Sequence, residues 1–364
     1  MKLSSLSLPP ETVRCAMNMI HAGSGEEQSS SAEPQISVII PTNNRRRLLL
    51  RAIDSVLRQD FSRFELLVVD DASTDGTADA VAAIADSRVR LLRQPVRRGA
   101  NAARNRGLIE ANAPIISFLD SDDEYEPHKL STVLALFHED LELGTLVDSY
   151  WIVNPGKDGQ RPKKLINAVI NDSDKFLPAL FDSTVKARRV RKATSGISVR
   201  REVAIRAGLF DEQLQRRQDM EFLIRLAKTA RCATTDLPLW IKHEQPESIS
   251  FTGDGVITAT LFMGRTHPEY TAKRAYQAAD VAIYFWESIK RHRFRQMARD
   301  LKLLARELGT GSASSLLGRG VWPGRSIRVW KPFSSGWDWN VGRIVRVVRV
   351  IMTYRNRAPE LPGQ

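Results

Sequence analysis

Asp120-Ser121-Asp122 sets two carboxylates one residue apart, directly after the apolar run Ile115-Ile116-Ser117-Phe118-Leu119. Asp123, Glu124 and Glu126 follow at once. Like charges this close disfavour one another's ionisation unless a cation sits among them. Two carboxylates at the end of a strand can converge on a hard divalent ion, and Mn²⁺ or Mg²⁺ fills its remaining positions with water and substrate phosphate. Such an ion would neutralise a diphosphate leaving group. The other use for these acids is to cap the helix that opens near Pro127, where negative charge is favoured. One or two would suffice for that; five are present.

Three further stretches carry side chains of the same kind. In VVDDASTDGT (68–77) Ser73, Asp75 and Gly76 suit an Asx-turn and a helix start, which leaves Asp71 spare to accept a hydrogen bond from a heterocycle N–H. In RRGANAARNRG (97–107) Arg104 can pair bidentately with a base edge or a phosphate, whereas Arg106 fits a solvated helix face equally well. In RRQDMEFLIRLAK (216–228) Asp219 begins a helix and is a candidate general base, although acids are common at helix starts. His243, after Lys242, is a candidate ligand for metal or phosphate; a lone His is more often structural.

The elements around these residues explain why they should meet. ISVII (36–40), ELLVVDD (65–71), VRLLRQ (89–94) and PIISFLD (114–120) read as buried strands. Amphipathic or Ala-rich helical stretches follow each of them, at 46–59, 77–86, 99–112 and 127–140. Four β/α alternations predict an α/β fold with a doubly wound, mostly parallel, Rossmann-like sheet, in which ligands bind beyond the carboxyl ends of the strands. Thr42 to Asn44, Asp70 and Asp71, and the acids from Asp120 all stand at such ends. Beyond Ser149 the pattern weakens, with NPGKDGQRPKK a surface loop. It resumes as a strand and helix in SGISVRREVAIRAGLF, a helix from Gln218 and a strand over 231–240.

Composition sets the outer bounds. Of the 364 residues 42% are hydrophobic and 26% charged, as in ordinary folded chains. The net charge of +12 is confined to one part. Residues 1–255 balance 35 basic against 35 acidic side chains, whereas 256–364 hold 19 against 7. Two cysteines, Cys15 and Cys232, exclude a disulfide framework or a structural zinc site. No stretch reaches the ~20 apolar residues of a membrane-spanning helix. The first 35 residues read as a disordered lead-in. No GxxxxGK[ST] loop, GxGxxG turn or GxSxG elbow occurs.

With these motifs in order, the sequence closely resembles family 2 glycosyltransferases of the GT-A fold. The likeness is carried by ISVIIPTNNRRRLLLRAIDSVLRQDF, ELLVVDDASTDGT, NAARNRGL and PIISFLDSDDEYEP across 36–127, and more loosely as far as about Ser250. It implies inverting transfer from a nucleoside-diphosphate sugar, most simply a UDP-sugar, to an acceptor hydroxyl in polysaccharide or glycolipid synthesis, with Mn²⁺ or Mg²⁺ as cofactor. By position, Asp71 would recognise the base and Arg104 the nucleotide, Asp120 the donor sugar or ribose, Asp122 the metal, and Asp219 would deprotonate the acceptor. Pro41, Thr42, Asn44 and Ser121 complete the expected substrate-binding set, and His243 the metal ligands. The resemblance divides the chain into a donor-binding half (36–127), an acceptor side (128–255) and a basic helical region (256–364). Two departures stand out: Asn43 replaces the family's stacking aromatic, and Gln218 precedes Asp219 where an acid is usual.

Two other readings share the crevice. A sugar nucleotidyltransferase would want a Gly-rich loop after strand one, and PTNNRRR has no glycine. A degenerate sugar-nucleotide-binding scaffold would tolerate Asn43 and Gln218 but need not keep Asp71, Asp120, Asp122 and Asp219. In 330–357 Arg343, Arg346 and Arg349 recur every three residues opposite Ile344, Val347, Val348 and Ile351, with Trp337 and Trp339 nearby. That pattern fits a helix lying on an anionic membrane or one packed on the protein's own core; no recognition motif points to nucleic acid. The expected setting is cytoplasmic, on the inner face of the membrane where the acceptor is lipid-linked.

Overall fold

The computed structural model describes residues 33–153, 163–165, 167, 169–181, 190, 192–244, 254–272, 277, 280, 281, 284, 285, 288 and 291–308. Residues 1–32 of the lead-in expected over 1–35, and the arginine and aromatic pattern over 330–357, lie outside the described residues.

The chain divides into two compact units. The first, built from the described residues up to Leu180 and from Val190 to Glu244, is organised around one mixed sheet. Its opening part is β1 (Ile36–Thr42), β2 (Phe64–Asp70), β3 (Val89–Arg93) and β4 (Ile115–Phe118), all parallel, in the order β3-β2-β1-β4. Between them run α1 (Arg46–Leu57), α2 (Thr77–Ala82) and α3 (Ala100–Glu110). Strand β1 is buried along its whole length, which is why it reads as a continuous apolar run rather than an alternation. Helix α3 packs so closely on it that a Cβ at Gly107 would stand 2.6 Å from Ile39 Cγ2.

The sheet continues through β8 (Ile197–Arg200), β6 (Leu143–Val153), β9 (Arg231–His243) and β5 (Glu124–Tyr125), with β7 (Lys163–Leu165) paired to β6. Here β8 is antiparallel to β4 and to β6, while β6 and β9 run parallel. Four details differ from the sequence reading. The fourth strand ends at Phe118, and Leu119 donates its N–H to Ile39 O to close the ladder. The acidic loop then forms β5, antiparallel to β9, before α4 (Lys129–Glu139) begins. β6 escapes the period of two because Thr145, Asp148 and Ser149 are buried polar residues within it. Lys163 and Lys164, read as the end of a surface loop, lie in the strand β7.

One apolar core joins β1, β2, α1, α4, Leu143, Leu146 and Trp240. In the second unit Ile257 and Leu261 of α8 (Val256–Thr266) pack with Val281, Phe285, Met297, Leu301 and Leu304, the last three on α10 (Phe294–Leu308). Within the region expected to be helical (256–364), Arg291 and His292 form a turn, His292 takes a φ of 54°, and Arg293 N–H bonds to Ser288 O.

Candidate active site

The carboxyl ends of β1, β2 and β4 bring three loops together. After β1, Asn44 adopts a left-handed φ of 52°. Its Oδ1 accepts from Thr74 N–H (2.8 Å) and its own N–H donates to Ser73 Oγ (2.8 Å). Asn43 donates from Nδ2 to Asp71 O (2.7 Å), and Asp71 N–H donates to Thr42 O (2.8 Å). Pro41 and Thr42 are buried in the ladder, and the Thr42 hydroxyl has no hydrogen-bond partner among the described residues. Asp75 accepts from Thr77 and from Arg46 N–H, the Asx-turn its spacing suggests.

Asp71 is not spare. Its Oδ1 accepts from Gln94 Nε2 (3.0 Å) and Arg98 N–H (2.7 Å), and its Oδ2 from Gly99 N–H (2.8 Å). The carboxylate thus fixes the loop that opens α3. A carboxylate has about four acceptor positions, so one of Asp71's remains. Arg104, also buried, turns inward: it donates to Asn101 Oδ1 (3.1 Å) and Asp120 Oδ1 (2.7 Å), with its guanidinium 5.4 Å from the Phe210 ring centroid. Arg104 and Asp120 therefore share the crevice wall, and Arg104's first task is to hold Asp120.

The question of what neutralises the acids after β4 has an answer within the chain. Asp122 Oδ2 lies 2.6 Å from Arg45 Nη1, and Asp122 O accepts from Arg51 Nη2 (2.7 Å). Glu124 Oε1 lies 3.1 Å from Arg51 Nε and 2.6 Å from His243 Nε2. Asp123, the most buried acid of the group, accepts from the Ser195 hydroxyl at Oδ2 (2.7 Å) and from His243 N–H at Oδ1 (3.3 Å). Ser195, in the 3₁₀ turn Thr194–Gly196, also accepts from Asp120 N–H (3.1 Å). Ser121 is buried.

Burial, reinforced by the Asp120 and Asp122 charges and opposed by Lys242, pushes the Asp123 carboxyl up to about 8. Lys242 shows the reverse balance. Burial alone would lower it, but Asp123, Asp120, Tyr150 and Asp122 hold it above the ordinary lysine value. His243 falls below the usual imidazole value, through burial first and the Arg51 charge second.

Capping of the helix after these acids is not their role. The first turn of α4 has no acid, and its N-cap residue His128 makes no side-chain capping bond.

Asp219 arrives from α7 (Gln218–Thr229), whose N-cap Arg217 takes a φ of 56°. Its Oδ1 accepts from Met220 N–H (2.8 Å). Burial raises its carboxyl above the ordinary range, offset by the Met220 bond and Lys192, with Asp120 raising it and Lys242 lowering it. Asp219 thus stands within electrostatic reach of Asp120 and Lys242. Glu221 points elsewhere, to Arg225 (2.6 Å).

In donor chemistry the site fits a hard divalent ion. Asp122 offers a carboxylate, and the buried His243 Nε2 has no well-aligned hydrogen bond despite its approach to Glu124. Among the described residues no group of three or more His, Cys, Asp or Glu side chains is arranged to hold a metal, so any ion would draw most of its ligands from diphosphate and water. Sequence reasoning missed Arg45, Arg51 and Ser195. Arg45 had a faint signal in the RRR run at a strand end; Ser195 had none.

Comparison with known proteins agrees with this architecture. Residues 37–196 match the family model described as Glycosyl transferase family 2. The chain is 36% identical over 119 residues to the UDP-Glc:alpha-D-GlcNAc-diphosphoundecaprenol beta-1,3-glucosyltransferase WfgD of Escherichia coli, covering 33% of this chain and 47% of that protein. It is 32% identical over 221 residues to the succinoglycan biosynthesis protein ExoO of Rhizobium meliloti strain 1021, covering 60% of this chain and 63% of that one. It spans less than two thirds of either relative. A crystal structure of S. aureus TarS 1–349 in complex with UDP superposes with a TM-score of 0.56 at 19% identity, over 78% of this chain and 83% of that one. That likeness is one of fold, and the fold is GT-A. The likeness to glycosyl transferase family 2 is carried by residues 37–196.

Proposed function

We propose that the protein transfers a sugar, with inversion, from a nucleoside-diphosphate sugar to an acceptor hydroxyl. The observation that carries this reading is that Asp219, buried at the start of α7, lies within electrostatic reach of Asp120, which Arg104 holds. The family-model match over 37–196 supports it, as do relatives named for polysaccharide and lipid-linked saccharide synthesis.

The chain's residues divide the work. The loops after β1, β2 and β4 frame the donor: Pro41, Thr42, Asn44 and Ser121 shape its walls, and the remaining acceptor position of Asp71 suits an N–H of the base. Asp120, held by Arg104, faces the donor sugar or ribose. Asp219 takes the proton of the acceptor hydroxyl, whose oxygen attacks the anomeric carbon as the bond to the diphosphate breaks and its electron pair leaves with the diphosphate. A Mn²⁺ or Mg²⁺ ion held by Asp122 and His243 would supply Lewis-acid stabilisation of that leaving group.

The acceptor we infer is a saccharide, free or linked to a lipid diphosphate, as in the name of the E. coli relative. No helix among the described residues is long and apolar enough to cross a membrane. The basic 330–357 stretch is the inferred contact with an anionic surface on the inner face of the membrane, supported by its charge and aromatic pattern. Co-sedimentation of the full chain with anionic vesicles should drop when Arg343, Arg346 and Arg349 are changed to Glu; unchanged binding would remove that part of the reading.

Transfer is tested by incubating the purified chain with Mn²⁺, radiolabelled UDP-sugars and polyprenyl-diphosphate saccharides. Wild type should form product, whereas Asp219→Asn should bind donor and form none. Product formation by Asp219→Asn at the wild-type rate would refute the assignment of the base.

A further inference from the structure

Lys242 lies two residues beyond Trp240 on β9, so the two side chains leave the strand on the same face. That face looks onto the 3₁₀ turn carrying Ser195: a Cβ built on Gly196 would stand 3.0 Å from Trp240 Nε1. The peptide that follows Lys242 is pinned to the acidic loop, because His243 N–H donates to Asp123 Oδ1 (3.3 Å). Pairing with β6 (Ile152↔Lys242, Val153↔His243) and with β5 (Glu124↔Ile241) fixes the position from both sides. Lys242 is thus delivered to Asp120, Asp122 and Asp123, with all of which it interacts electrostatically.

The other cations of this cluster are already spoken for. Arg45 holds Asp122, Arg51 holds Glu124 and Asp122 O, and Arg104 holds Asp120 and Asn101. Lys242 is different: among the described residues its partly buried ammonium makes no hydrogen bond and no ion pair within 4.0 Å. An ammonium has three donors and no acceptor, so Lys242 stands with all three uncommitted beside a crevice of carboxylates. Carboxylates attract it without bonding it. The missing partner is an anion that enters from outside and brings oxygens to that point.

We propose that Lys242 is the diphosphate-binding cation of the crevice, contacting the terminal phosphate oxygens of a nucleoside diphosphate. This rests on the glycosyl-transfer reading. In the reaction, the bond between the anomeric carbon and the terminal phosphate oxygen breaks and the electron pair remains on that oxygen. Lys242 stabilises the charge that develops there, and the compact ammonium suits a point contact rather than a bidentate one. Its contribution adds to that of any divalent ion.

The test starts from full-length wild type in EDTA and in Mn²⁺, choosing from UDP, GDP, CDP and dTDP the diphosphate that raises the melting temperature. Titration calorimetry then compares that diphosphate with its monophosphate. Lys242→Gln should bind the diphosphate about ten- to a hundred-fold more weakly and the monophosphate within about threefold of wild type, with Lys242→Arg recovering most of the loss. Equal diphosphate affinity in wild type and Lys242→Gln, or an equal loss for the monophosphate, would overturn the proposal while leaving the family reading intact. If wild type binds none of the four diphosphates, the proposal falls together with the glycosyl-transfer reading on which it rests. Reductive methylation of wild type, read by mass spectrometry, needs no variant: the diphosphate should protect Lys242 and the monophosphate should not. Equal labelling with and without diphosphate would also overturn it.

Discussion

The Ser195 hydroxyl spans the acidic turn, accepting from the Asp120 N–H at 3.1 Å and donating to Asp123 Oδ2 at 2.7 Å. One fully buried oxygen thereby ties two members of the cluster to a segment more than seventy residues away in sequence. Ser195→Ala should leave a buried donor and a buried carboxylate short of a partner, costing roughly 1–3 kcal/mol. Urea denaturation measures this. Ser195→Thr, which keeps the hydroxyl, should lose less than Ser195→Ala, and a Ser195→Ala chain as stable as wild type would show that the bridge is dispensable.

Asp219 sets an expectation for pH. Its carboxyl is raised by burial, so the protonated form, unable to accept a proton, persists above the ordinary carboxylate range. The rate of transfer should therefore climb as pH rises through that raised value and level off above it. Asp219→Glu should keep a rising limb, whereas Asp219→Asn should abolish transfer at every pH. A rate that is flat from pH 4 upward would contradict the role of Asp219 as base.

Beneath the site Lys129 and Asp148 form an ion pair with both side chains fully buried. Burial drives both toward their neutral forms, with Asp148 raised to about 7 and Lys129 lowered; mutual attraction opposes each shift. Lys129→Met should destabilise the chain by about 3–5 kcal/mol, because it strands a buried carboxyl. Lys129→Met combined with Asp148→Leu should recover much of that loss in the same denaturation measurement. A double variant no more stable than Lys129→Met would refute the pairing argument.

Gly107 lets α3 sit on β1. Gly107→Ala places a methyl 2.6 Å from Ile39 Cγ2, and overpacking of this kind costs roughly 1–3 kcal/mol. The cost of Gly107→Ala should be smaller in an Ile39→Ala background, which lacks Cγ2, than in the wild-type chain. A Gly107→Ala melting temperature equal to that of wild type would show that the helix can shift freely.

Much of the donor-binding half was legible because its strands are buried on both faces. Strands β1, β2 and β4 are mostly apolar and buried throughout, and a parallel sheet puts the residues after them at one crevice. Asp71, Arg104, Asp120 and Asp122 could therefore be placed before any coordinates. Their partners could not. Arg45 meets Asp122 across 77 positions, Ser195 meets Asp123 across 72 and His243 meets Asp123 across 120, and no local period encodes such pairings. The same blindness made Asp71 look uncommitted, since its donors at Gln94, Arg98 and Gly99 belong to a different loop. β6 stayed hidden for another reason. Its buried Asp148 and Ser149 are engaged by tertiary contacts, Asp148 with Lys129 and Ser149 with Thr235 and Asn167, and look solvent-facing in one dimension.

The two-residue strand β5 has a consequence for how variants of this protein should be interpreted. By pairing Glu124 and Tyr125 with Ile241 and Trp240, it anchors the acidic loop at its far end, as β4 anchors it at the near end. The mutual repulsion of the acids is overcome when the sheet assembles, well before any ligand arrives. A substitution at Trp240 or Tyr125, neither of which touches substrate in the proposed reaction, should then lower thermal stability and transfer rate together. Sorting such variants by activity alone would misfile scaffold positions as chemical ones; melting curves taken alongside separate the two classes.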